Sequence, residues 1–132
     1  MLDPRPFLGV FLGAGAGGLC RYLINLYVVQ KIGPGFPFAT LFINVSGSFL
    51  IGVVIELSQT RALGIGPLSR VALTAGFLGG YTTFSTFAYE TLTLGGEGEL
   101  RLSLAYSLGS VVLGVAACYA GVIAARLMMR PG

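Results

Sequence analysis

The sequence predicts an all-α membrane protein whose residues 1–132 form a single domain of four transmembrane helices. The chain has 132 residues, of which 55% are hydrophobic and only 10% are charged, whereas a soluble domain carries about 25% charged residues. Each of four long apolar windows is at or above the ~20 residues that cross a bilayer as a helix. Together they leave no room for a soluble domain. The windows are Phe7–Val29, Phe38–Leu57, Leu68–Leu94 and Leu102–Leu127.

The first predicted span carries glycines at a four-residue spacing, Gly9, Gly13 and Gly17, and Arg21 continues this column. Residues four apart share a helical face, and small residues in membrane helices mark close helix contacts. The segment "GAGAGG" formally matches a dinucleotide-binding motif, but no acidic residue follows at the required spacing, so it indicates packing. Signal peptides are cleaved after small residues, and the bulky Leu19 does not fit that position, so we do not expect this span to be removed. For Arg21, structural anchoring and a transport role both stay open.

The second and fourth predicted spans carry polar groups in similar columns. The column in the second span is Asn44, Ser48, Gly52 and Glu56, and that in the fourth is Tyr106, Ser110, Gly114 and Cys118. Packing alone accounts poorly for these amide and hydroxyl groups. Asn44 lies near the start of its span, so it either caps the helix or offers an amide to a pore, and we favour the pore.

The third predicted span is interrupted by two adjacent glycines, Gly79 and Gly80. Irregular backbone at membrane depth is tolerated only where protein, water or an ion satisfies its polar groups. Broken membrane helices often present carbonyl groups to a cation. The sequence therefore predicts a helix broken at Gly79-Gly80 beside an ion site, with a simple packing kink as the alternative.

Hydroxyl and aromatic residues follow the glycines. The hydroxyl residues are Thr82, Thr83, Ser85 and Thr86, and the aromatic residues are Phe84 and Phe87. Some hydroxyls are expected to bond back to carbonyls of the preceding turn. The two rings share one helical face, and the positive edge of an aromatic ring favours a small anion. Such weak donors replace water without holding the ion too tightly.

The charges argue against nucleic-acid binding, because the net charge of +3 comes from basic residues scattered over loops and ends. Histidine is absent, which excludes imidazole chemistry, and nothing in the sequence predicts an enzyme. The side that holds the termini has more basic residues than the other, which predicts cytoplasmic termini. The first side has Arg5, Arg61, Arg70, Arg126 and Arg130, and the second has Lys31 and Arg101.

Three motifs together resemble the Fluc (CrcB-type) fluoride channels over essentially the whole chain. They are "GGYTTFSTF" at Gly79–Phe87, "GxxxRY" at Gly17–Tyr22 and "NVSGSFLIG" at Asn44–Gly52. The resemblance implies a passive, fluoride-selective channel that exports fluoride from the cytoplasm through the inner membrane. It also implies an antiparallel, dual-topology homodimer with two pores.

The resemblance further implies roles for individual residues. A structural sodium ion at the dimer interface is held by the backbone carbonyls of Gly79 and Thr82 from both protomers. The residues implied along the fluoride pore are Asn44, Thr83, Phe84, Ser85, Thr86, Phe87, Tyr106 and Ser110, and those near its entrances are Arg21 and Glu90. The sequence departs from the family at Gly114, where many relatives carry a hydroxyl. Its excess of basic residues on one side also makes insertion in both orientations less assured.

Two other functions stay open at this point. A proton-coupled exporter of the small multidrug type also has four short spans, but it needs a carboxylate in the first span, where this chain has none. Glu56 and Glu90 are the substitute carboxylates for such a mechanism. The third possibility is a structural subunit without transport activity.

Overall fold

The computed structural model describes residues 3–60 and 65–129, which are almost entirely helical. In chain order the elements are α1 (Arg5–Ile32), α2 (Phe38–Thr60), α3 (Pro67–Val71), a π-helical segment (Ala72–Leu78), α4 (Gly79–Tyr81), α5 (Phe84–Gly96) and α6 (Leu100–Met128). Arg61 and Arg130, two residues of the predicted cytoplasmic side, lie outside the described residues. The orientation of the chain in the membrane therefore stays a prediction.

Three helices in the described part of the chain are long and apolar enough to cross a membrane. They are Arg5–Ile32, Phe38–Gln59 and Leu100–Met128, with mean hydropathies of 1.5, 2.1 and 2.1. Their outward surfaces are strongly apolar, as shown by Phe11 at 75% exposure and Val115 at 68%. Such a surface suits lipid rather than water. Three of the four predicted spans are thus confirmed as single helices in a multi-pass membrane protein.

The third predicted span is present as two helical halves, but the predicted position of its break is wrong. Gly79 is helical, with φ −64° and ψ −36°, and it begins α4 together with Gly80. The chain leaves the helix at Thr82 (φ −80°, ψ 160°) and Thr83 (φ −151°, ψ 118°). We call Thr82–Thr83 the interruption.

Close packing explains why the glycines precede the interruption rather than form it. A Cβ atom on Gly80 would lie 2.9 Å from the Ala14 Cα atom and would collide with the Ala14 carbonyl oxygen. The glycine therefore lets α4 approach the backbone of α1, as small residues do in membrane helices. A double glycine and a helix break are two separate features of this segment.

The glycine column of α1 is a close packing contact, as predicted, and the structure shows that its partner is the first half of the broken span. A Cβ atom on Gly13 would lie 2.8 Å from the Phe77 nitrogen, and one on Gly17 would lie 2.8 Å from the Tyr81 nitrogen. α2 and α6 form a second close pair, in which Gly52 faces the Cys118 carbonyl group. The described residues thus contain two close helix pairs, α1 with the π-helical segment and α4, and α2 with α6, and α5 lies against α6.

Candidate functional site

The interruption is held in place by the side chain of Asn44. The Asn44 Nδ2 atom donates a hydrogen bond to the Thr83 carbonyl oxygen, and the Thr83 N–H donates to Asn44 Oδ1, both at 2.9 Å. Asn44 lies inside α2, well beyond the first residue of that helix, Phe38. It therefore does not cap α2, and it replaces hydrogen bonds that the interruption removes from the broken helix.

Several of the hydroxyl groups near the interruption are committed to protein atoms. The Thr83 side chain caps α5 by accepting a hydrogen bond from the Thr86 N–H at 3.3 Å, and it donates to Thr86 Oγ1 at 3.0 Å. The Thr82 hydroxyl donates to the Leu78 carbonyl oxygen at 2.9 Å. The expectation that some hydroxyls bond back to the backbone is thus confirmed.

The interruption diverts the amide groups that would otherwise bond to the Gly79 and Thr82 carbonyls. In an α-helix the N–H four residues later donates to each carbonyl oxygen. Here the Thr83 N–H donates to Asn44, and the Thr86 N–H donates to the Thr83 side chain. Hard cations such as sodium prefer oxygen ligands, and carbonyls at the end of a broken helix are typical ones. The chemistry of these two carbonyl groups therefore fits the predicted sodium site, with two ligands from one chain.

A cavity of about 360 Å³, which we call the polar cavity, lies beside the interruption. It brings together most of the predicted site residues from α2, the broken span and α6. Its lining includes Asn44, Gly79, Thr82, Thr83, Phe84, Phe87 and Ser110, together with Gly47, Ser48, Ile51, Thr74, Leu78 and Val111. Ser110 Oγ is buried and has no hydrogen-bond partner among the described residues. A buried polar group without a partner is costly, so this hydroxyl indicates a place for a ligand or water.

The two predicted phenylalanines lie together at the polar cavity but differ in burial. The ring centroids of Phe84 and Phe87 are 5.6 Å apart. The Phe84 side chain is 79% exposed within the single chain, whereas the Phe87 ring lies 5.4 Å from the Tyr106 ring. Phe84 therefore projects away from the rest of the chain.

Glu90 joins three helices one turn beyond the phenylalanines. Its carboxylate accepts hydrogen bonds from the Thr40 hydroxyl at 2.8 Å and from the Tyr106 hydroxyl at 2.7 Å. Thr40 is 4% exposed and Tyr106 is 2% exposed. The sequence reasoning missed Thr40, although it lies four residues before Asn44 and extends the polar column of α2. Glu90 also lines a second cavity, of about 540 Å³, near the α1–α2 loop.

Five predicted site residues lie outside the lining of the polar cavity, as does Glu56; the five are Arg21, Ser85, Thr86, Glu90 and Tyr106. Ser85 and Thr86 are exposed on the first turn of α5. Arg21 is half-buried on α1 and makes no hydrogen bond or ion pair with any residue that the structure describes. Glu56 forms an ion pair with Arg126 at 2.8 Å between α2 and α6. The predicted pore residues are thus only partly gathered within one chain.

Known proteins resemble the chain over most of its length. The family of CrcB-like proteins, Camphor Resistance (CrcB), matches residues 8–122. A protein from Solibacter usitatus (strain Ellin6076), named fluoride-specific ion channel FluC, is 46% identical over 120 residues, covering 91% of this chain and 98% of the relative. A protein of the same name from Rhizobium meliloti (strain 1021) is 43% identical, covering 91% and 97%. A third, from Granulibacter bethesdensis (strain ATCC BAA-1260 / CGDNIH1), is 44% identical, covering 94% and 97%.

Proposed function

The chain belongs to the CrcB-like family, and from this premise we propose that it is a passive fluoride channel that exports fluoride from the cytoplasm through the inner membrane. Its relatives are named fluoride-specific ion channels rather than enzymes. The observation that carries the proposal is the polar cavity, which is lined both by the interruption that Asn44 holds and by Ser110, whose buried hydroxyl has no partner among the described residues. This cavity offers donors to an anion inside an otherwise apolar chain.

The physical requirement for conduction is that the protein replaces the water around the ion. Transferring a carboxylate-sized ion to a medium of low dielectric constant costs on the order of 20 kcal/mol in the idealised limit. Hydroxyl donors and the positive edges of the Phe84 and Phe87 rings reduce this cost without a full positive charge. A carboxylate, Glu90, lies beyond the rings with both oxygens already bonded. We place it near a pore entrance, where its bonds to Thr40 and Tyr106 keep the helices in position.

We also propose that the functional unit is an antiparallel homodimer with two pores and a central sodium ion. One chain offers the Gly79 and Thr82 carbonyls, which is fewer ligands than a cation normally takes. Gly79 is exposed in the single chain, and Phe84 is 79% exposed beside the polar cavity. A second copy supplies the missing carbonyl ligands and covers Phe84, which then lines a pore together with residues of its partner.

The arrangement of carboxylates argues against the proton-coupled exporter. Such a carrier needs a carboxylate that binds and releases protons in contact with its substrate. α1 contains no acidic residue, Glu56 is paired with Arg126, and Glu90 accepts two hydrogen bonds. Both substitute carboxylates are thus engaged by side chains of the same chain, Glu56 by Arg126 and Glu90 by Thr40 and Tyr106.

Fluoride efflux from liposomes that contain the purified protein tests the proposal. We expect fluoride to leave much faster than from empty vesicles, with or without a proton gradient, while chloride is retained. Fluoride release equal to that of empty vesicles would refute the channel. A requirement for a proton gradient would favour the exporter, and normal assembly without any transport would favour the structural subunit. Cross-linking of the two copies and the dependence on sodium test the dimer and the cation separately.

A further inference from the structure

Two serines in the polar cavity differ from the other hydroxyl residues that line it. Thr74, Thr82 and Thr83 all use their hydroxyl groups in hydrogen bonds to protein atoms. Ser110 Oγ is buried without a hydrogen-bond partner, and the Ser48 hydroxyl makes no hydrogen bond with any residue that the structure describes. The free hydroxyl donors of the cavity therefore come from α2 and α6 and not from the threonines at the interruption.

The absence of a backbone bond at Ser48 is informative because serine in a helix often bonds to a carbonyl of the preceding turn. Two other serines of α2 do so: Ser46 donates to the Ile43 carbonyl at 3.2 Å, and Ser58 donates to the Ile55 carbonyl at 2.7 Å. Ser48 lies between them in sequence but lines the polar cavity. Its hydroxyl group is available to a ligand.

Gly114 makes room for the Ser48 hydroxyl on the facing helix. A Cβ atom at position 114 would lie 3.5 Å from Ser48 Oγ, which is the one described atom of another helix within 4 Å of it. A side chain on residue 114 would therefore occupy space next to this hydroxyl. Ser110 lies one turn before Gly114 on α6, so Ser48 and Ser110 approach the cavity from opposite helices.

We propose that Ser48 is a fluoride-coordinating residue of the pore and that it acts together with Ser110, in the space that Gly114 leaves open. The proposal rests on the function proposed above and adds the hydroxyl ligands that this chain uses. Asn44, whose amide is bonded to the Thr83 backbone, then serves chiefly to hold the interruption. Ser48 supplies from α2 a donor that a hydroxyl residue at position 114 would otherwise supply from α6.

The first test compares Ser48→Ala with Ser58→Ala in fluoride efflux from liposomes. Loss of one hydrogen bond to a charged group lowers a rate by about tenfold or more, so we expect that reduction for Ser48→Ala. Ser58→Ala removes a hydroxyl from the same helix and should leave the efflux rate near that of the unaltered protein. Equal rates for the two variants, in a protein that conducts fluoride, would overturn the proposal.

The second test asks whether a hydroxyl on the facing helix restores conduction. Gly114→Ser in the Ser48→Ala background places a donor in the space that the Ser48 hydroxyl vacates, so we expect fluoride efflux to recover. Gly114→Ala in the same background is the control and should not restore it. Recovery in neither double variant, with the amount of folded dimer unchanged, would count against a ligand role for Ser48.

The two proposals fail in different ways. If the unaltered protein releases no fluoride, the proposed channel function fails, and the proposed role of Ser48 in fluoride conduction fails with it. If the unaltered protein conducts and Ser48→Ala conducts equally well, only the role of Ser48 fails. The amount of folded protein after purification separates either result from a folding defect.

Discussion

Two regions of the molecule use the same four-residue spacing but differ in function. One is the close contact of α1 with the first half of the broken span, which we call the seam. The other is the polar cavity, which is lined by α2, the broken span and α6. Both rely on small residues four positions apart. On α1 the part of the column that meets the broken span is made of Gly9, Gly13 and Gly17, and the backbones of the two helices come into direct contact. On α2 and α6 the columns include Asn44, Ser48 and Ser110, and a cavity of about 360 Å³ remains. The four-residue spacing brings the helices together. Whether the side chains at that spacing are glycines or polar residues decides whether the helices pack closely or leave a polar cavity.

The largest effect is expected from added volume where α1 meets α4. In Gly80→Val the new side chain meets the Ala14 backbone, and backbone cannot move aside as a flexible side chain does. Overpacking costs about 3 kcal/mol or more in such a site, so we expect a large loss of folded protein. Thermal unfolding in detergent measures the effect. A variant as stable as the unaltered protein would show that α4 does not need this close contact.

The next prediction concerns Asn44, which holds the interruption between the two halves of the broken span. Asn44→Ala removes both hydrogen bonds to Thr83 and leaves backbone groups without partners, at a cost of about 2 kcal/mol. We expect a less stable protein and a loss of fluoride efflux that exceeds the loss caused by Ser48→Ala. Efflux at the unaltered rate would contradict the role assigned to the Asn44 amide.

The sequence predicted the spans well because hydrophobic length is a local property of the chain. It placed the break at Gly79-Gly80 and missed the interruption at Thr82–Thr83, because the interruption depends on Asn44, a distant partner in sequence. A double glycine serves equally as a break or as a packing site, and only the neighbouring helix distinguishes the two. The free hydroxyl groups of the cavity were likewise unpredictable, since hydrogen bonding in three dimensions decides which serine is left unpaired.

Gly79→Val is expected to differ from Gly80→Val because the two adjacent glycines have different surroundings. A Cβ atom on Gly79 would meet only the Thr74 carbonyl oxygen, at 3.6 Å, so the single chain tolerates the change far better than Gly80→Val. In the proposed dimer, however, the valine lies beside the sodium ligands. We therefore expect folded protein that has lost its dimer, its sodium dependence or its conduction. A fully active, dimeric variant would refute the proposed sodium site, with Gly80→Val as the contrasting variant.

The smallest effect is expected at the far end of the α2–α6 pair, where Glu56 and Arg126 form an ion pair at 2.8 Å. The Arg126 side chain is 60% exposed, and exposed ion pairs contribute little to stability. Glu56→Gln should therefore change fluoride efflux by less than about twofold, because exposed pairs are weak and Glu56 does not line the polar cavity. The measurement is efflux with and without a proton gradient, with Ser48→Ala as the variant expected to be impaired. An exporter that carries protons on Glu56 would instead lose its activity in Glu56→Gln, since the amide cannot bind and release a proton.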